Sequence, residues 1–167
     1  MHKDDLRQLL IDFTAERLAI LQRHEASARV VSHYDFNNTY QYVIAREETH
    51  ITWLQDALAG YGVGLPAPAA PFPTPDAPKE KKPQPAAFRP ILREDAHALH
   101  TFVDRWRPRV EVMTHARNRT MLNVVLGESL EHERLFEQGA AGDEDLLGRR
   151  TSQAERVGGV LPHRWME

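Results

Sequence analysis

The chain contains no cysteine, which excludes disulfides, iron–sulfur clusters, rubredoxin-type centres and thiol catalysis. It has no apolar run near the ~20 residues that a membrane-spanning helix needs. No apolar signal core follows the opening Met1-His2-Lys3-Asp4-Asp5. A field of one sign is missing too: 21 Lys and Arg against 24 Asp and Glu leave a net charge of −3, too balanced to argue for nucleic acid or an anionic membrane. These absences predict a soluble, cytoplasmic protein with neither nucleic-acid nor membrane partners. The 167 residues are enough for one domain with a sizeable core.

What is present is helical periodicity. Phe36, Tyr40, Val43, Glu47, His50, Leu54, Ala57 and Tyr61 step by four and three, which puts all eight on one face of a helix that stops at the glycines of residues 60–64. Residues 4–30 form an earlier helix, with Leu6, Leu9, Phe13, Glu16, Ile20 and Ser27 on a shared face; Ser32 and Asp35 are the expected caps of its successor. A third helix starts near Ile91 with Leu92, Ala96, Leu99, Val103, Trp106, Val110 and Met113 in the same stepping, and Pro108 is expected to kink it or split it after Trp106. A fourth, capped by Asn118 or Thr120 and ended by Gly139, carries Met121, Val125, Glu128, His132 and Leu135. Between the second and third lies a proline- and alanine-rich stretch, residues 64–90, with no period. Proline favours an extended path of about 3.1 Å per residue, long enough here to travel the length of a bundle. The fold class expected is all-α: a four-helix bundle over residues 1–142 with a long Pro-rich crossover between helices 2 and 3. An irregular C-terminal tail, residues 143–167, follows. Val160, Leu161 and Trp165 in that tail need cover, from the bundle or from a second copy, so a homodimer is expected.

Glu47 and His50 stand where the stripe calls for apolar residues, and an unpaired buried carboxylate is costly. A metal ion is the simplest partner. If the first hairpin turns near residues 31 and 32, Glu16 lies level with Glu47, and a carboxylate facing a Glu-x-x-His makes half of a carboxylate-bridged dinuclear site. For the other half, helix 4 offers Glu128, Glu131 and His132, and helix 3 offers His100 in preference to Asp104. His24, His33, His115 and His163 fall near helix ends or in the tail and are expected to be solvated.

The phrase Ala45-Arg46-Glu47-Glu48-Thr49-His50, followed by Trp53, Leu54 and Leu58, resembles the second helix of the ferritin-like superfamily in its rubrerythrin-type branch. Glu16 matches the place of that family's first-helix glutamate. Helix 4 departs from the family pattern: Glu128-Ser129-Leu130-Glu131-His132 is one residue out of phase with Glu-x-x-His, and no third-helix glutamate is evident. The resemblance implies the bundle fold and a first metal position at Glu16, Glu47 and His50, to which the reading of helices 3 and 4 adds Glu128, Glu131, His132 and His100 as expected ligands. The expected cofactor is iron, as two ions, with manganese or zinc as substitutes; with two irons bound, the resemblance implies oxidoreductase chemistry of the peroxidase, oxidase or ferroxidase kind. Two rivals stay open. One is a metal-free scaffold or dimerisation module in which Glu16, Glu47 and His50 form a polar core with an arginine; the other is a DinB-like bundle holding one metal through His50, His100 and His132.

Overall fold

A computed structural model describes residues 2–149. Four long helices make up the fold: α1 (Lys3–Val30), α2 (Tyr34–Ala59), α3 (Arg89–Glu111) and α4 (Ala116–Ala141), with a single 3-10 turn, Pro85–Phe88, leading into α3. No strand occurs among the described residues, and none of the helices is long and apolar enough to cross a membrane.

Each helix buries a stripe that steps by four and three, the signature of a ribbon of side chains facing a common axis. In α2 and α3 the stripes are the ones expected from sequence, and Leu92, Ala96, Leu99, Val103, Trp106 and Val110 are all buried. In α1 the buried ribbon is Leu6, Leu10, Phe13, Arg17, Ile20, His24 and Ser27, and in α4 it is Asn118, Leu122, Val125, Ser129, His132, Phe136 and Gly139. Both are turned from the expected faces, and both carry polar residues into the core.

The helix ends differ from expectation in informative ways. His33 and His115, expected in solvent, are N-caps: the Nδ1 of each accepts from a backbone N–H, of Phe36 at 3.4 Å and of Asn118 at 3.2 Å. Pro108 does not split α3, which continues to Glu111; its missing N–H removes one helical hydrogen bond, and the helix runs only three residues beyond it. Nor does Gly139 end α4. The stop is Gly142, in the left-handed conformation (φ 114°) that a helix C-terminus favours. Gly139 serves packing instead, because a side chain there would collide with Leu92 and crowd Leu146.

Cross-helix bonds fix the directions. Glu16 meets Arg105 and Arg23 meets Asp95, so α1 and α3 are antiparallel. α1 and α2, joined by only residues 31–33, are antiparallel as well, and so are α2 and α4, where Tyr40 packs on Phe136 and His50 bonds to Glu128. Helices α2 and α3 therefore run parallel, and the chain between them must return from one end of the bundle to the other. On the way, Ala69 N–H donates to Ala15 O at 2.8 Å and Arg23 holds the Pro73 carbonyl. The segment thus lies along α1. Most of the tail expected to cover apolar surface, residues 150–167, lies outside the described residues; of its first part, Leu146 is buried against the bundle.

Candidate functional site

Halfway along the bundle the ribbons of α1, α2 and α4 bring six polar side chains together. All of them, Arg17, His24, Glu47, His50, Ser129 and His132, are essentially buried. Arg17 donates from Nη2 to Glu47 Oε1 (3.2 Å) and from Nη1 to Ser129 Oγ (3.3 Å). Ser129 in turn donates to the Val125 carbonyl at 2.7 Å. His24 Nδ1 lies 2.9 Å from both Glu47 oxygens and donates to that carboxylate. His50 Nε2 donates to Glu128 Oε2 at 2.7 Å. Its Nδ1 is then the bare, accepting nitrogen, and it faces Arg17 Nη2 at 3.5 Å. Towards solvent, Arg46 clamps Glu128 with two bonds of 2.7 and 3.0 Å.

The electrostatics follow from this arrangement. Burial alone would raise the Glu47 carboxyl, but His24 and Arg17 outweigh it and hold the group at about 2. Burial also opposes charge on His24, yet the adjoining Glu47 carboxylate prevails and raises it above the ordinary histidine value. His50 and His132 behave oppositely: burial, helped by the Arg17 charge, lowers each to about 4, so both are neutral at pH 7. Glu128 is held at about 2, chiefly by its bond from Arg46. The interior thus contains one carboxylate wrapped by two cationic groups and two uncharged imidazoles. Three of its nitrogens, Arg17 Nε, His24 Nε2 and His132 Nδ1, have no hydrogen-bond partner among the described residues.

The residues named from the sequence separate into four places. Glu47, His50, Glu128 and His132 gather here. Glu16 does not: it accepts from Arg105 (2.8 Å) and from the Trp106 indole (3.0 Å). The reason is the phase of α1, whose buried ribbon passes through Arg17 and leaves Glu16 on the flank facing α3. His100 lies half exposed on the α3–α4 surface, bonded to Glu133 and paired with Asp104. Glu131 is exposed. Arg17 and His24 were missed, and His24 is buried rather than solvated. A signal existed: the four-three stepping that joins Leu6, Phe13, Ile20 and Ser27 passes through both positions.

A second buried carboxylate, Asp95 on α3, accepts from Arg23 Nε at 2.8 Å and from the Tyr40 hydroxyl. Arg23 also reaches Glu94 at 2.8 Å. Burial and the neighbouring Asp95 charge raise Tyr40 well above its ordinary value, so it stays protonated as the donor.

A carboxylate-bridged pair of metal ions requires Glu47 free to bridge, with a second glutamate opposite. Both Glu47 oxygens are already bonded by His24, the Arg17 guanidinium sits where a cation would, and Glu16 is engaged elsewhere. Among the described residues, no three His, Asp or Glu side chains are gathered as a metal ion needs. The donor set around Glu47 does not fit a dinuclear centre. Comparison with protein-family models, with curated proteins and with solved structures finds no match to this chain.

Proposed function

We propose that this chain is a ferritin-like four-helix bundle that works without a metal pair, as a scaffold or dimerisation module whose internal carboxylate is neutralised by its own arginine. The observation that carries this reading is Arg17 lodged between Glu47, His50 and Ser129. It supplies a fixed positive charge at the point where Glu47 and His50 would otherwise grip an ion. Support for the ferritin-like topology comes from two antiparallel hairpins with α2 parallel to α3, linked by a Pro-rich crossover along α1. A buried ion pair of this kind adds little net stability, but removing one partner is expensive.

The test is elemental analysis after incubation with Fe(II), Mn(II) or Zn(II) and gel filtration. No retained ion is the expected result. Two ions per chain, lost in Glu47→Ala, would overturn the reading in favour of an iron-type redox centre.

One observation favours a second reading, a single cation at His132, which would require His50 and Glu128 to leave their mutual bond and move in as the other ligands. His132 Nδ1 is buried without a partner, and both imidazoles are neutral, the form that binds metals. One ion per chain, abolished by His132→Ala but retained in Glu47→Gln, would support it.

A further inference from the structure

A cavity of about 900 Å³ lies between α1, α3 and the segment that connects α2 to α3, on the α3-facing flank of α1. That volume is in the range of small-molecule sites. Its floor is apolar: Ala19 and Ile20 from α1, Ala98 and Phe102 from α3. The connecting segment roofs it with Ala69, Ala70 and Phe72. The space has a physical origin. Alanines face one another where larger side chains would fill the gap, and the roof is pinned on both sides of Phe72, by Ala69 to Ala15 and by Pro73 to Arg23. Held at two points, it does not settle onto the floor, and Phe72 remains 39% exposed.

Charge is unevenly placed around this space. At one end Arg105 is neutralised by Glu16, and at the other Arg23 is neutralised by Asp95 and Glu94. Arg93 also lines the cavity, as does His97, one turn further along α3, and neither makes an ion pair among the described residues. Glu16 and Arg23, which bracket the floor, are two helical turns apart, about 10 Å. We infer that this cavity binds a small hydrophobic carboxylate, such as a medium-chain acid, with its hydrocarbon against Ile20, Phe102 and Phe72 and its carboxylate on Arg93, next to His97. Arginine pairs with carboxylates through two parallel bonds, and the apolar walls exclude a highly charged ligand such as a nucleotide. The inference is independent of the metal-free core, because no residue of the Glu47 network lines the cavity.

Isothermal titration of the full chain with decanoate, below its micellar concentration, tests this, with 1-decanol and decyltrimethylammonium as neutral and cationic probes. The expected result is one decanoate per chain and weaker binding of both other probes. Arg93→Glu should weaken decanoate by about tenfold or more, and Ala98→Phe, which fills the floor, should abolish binding. Ala70→Trp, which fills the cavity from the roof, gives the same loss without touching a helix, so a folding defect in Ala98→Phe leaves the test intact. Absence of decanoate binding to the unaltered chain overturns the proposal. So does equal binding of all three probes, or affinity unchanged in Arg93→Glu and Ala70→Trp, both checked for native helicity by circular dichroism.

Discussion

Glu47 and Asp95 are both buried carboxylates on the inner surface of the bundle, and each is neutralised by an arginine from α1, yet their surroundings differ. Asp95 is shared by three helices through Arg23 and Tyr40, and Arg23 goes on to Glu94 and the Pro73 carbonyl. That cluster is a clamp between α3, the first hairpin and the connecting segment, and it reaches the surface through Glu94. Glu47 has no such outlet. Its cations are both buried, and the nitrogens without partners collect around it. The contrast separates two uses of internal charge: one ties buried groups to the surface, the other is a buried unit whose members depend on one another.

The sharpest way to break the comparison is Glu47→Leu. It leaves Arg17 buried with no carboxylate, so a loss of about 3–5 kcal/mol in chemical denaturation is expected. Arg17→Met combined with Glu47→Leu should recover most of it. An apo protein that is unharmed or stabilised by Glu47→Leu alone would mean that Glu47 is held ready for an external cation.

Acid gives the next largest effect. His50 and His132 are held at about 4 in the fold but near 6.5 in the unfolded chain. Between those values the unfolded state binds more protons, so stability falls as pH drops from about 6.5 to about 4, by on the order of a few kcal/mol. Glu47, held at about 2, extends the loss from about 4.5 downward. His24, being raised, acts oppositely: its contribution is complete below about 6.5 and fades as pH rises through its value in the fold. Denaturation midpoints measured against pH should show the upper slope, lose it in a His50→Gln, His132→Gln double variant, and keep it in Asp95→Asn.

Asp95→Asn itself should cost about 1–3 kcal/mol, since it weakens a charge-assisted bond from Arg23 while leaving that arginine its Glu94 partner. The outer reference is Glu16→Gln. Its partner Arg105 is more than half exposed, and the change should cost under about 1 kcal/mol. An effect as large as that of Glu47→Leu would remove the distinction between closed and open pairs.

The helices were legible in the sequence because apolar residues recur on one face, most clearly in α3, where no polar residue interrupts the ribbon. α1 and α4 were legible as helices but not in phase. Each offers two neighbouring positions that could point inward, Glu16 or Arg17 and Glu128 or Ser129, and assigning glutamates to the core put the ribbon one residue off. The pairing of Glu47 with His24 was beyond local pattern, because His24 lies near the end of α1 in sequence yet in the middle of the bundle in depth. Pro108 and Gly139 misled for a related reason. Both are helix breakers by type, but one sits where little hydrogen bonding remains and the other where packing requires the absence of a side chain.

The parallel course of α2 and α3 has a consequence for how the chain could be divided. Each hairpin is continuous, while the bonds from Arg17, His50, Arg46 and Tyr40 to the second hairpin pass through side chains alone. The covalent tie between the halves is the connecting segment, whose stretch from Lys79 to Lys82 is exposed. Severed there, neither half would lose any of these matching groups, so two fragments made separately would carry complementary surfaces sufficient to find each other.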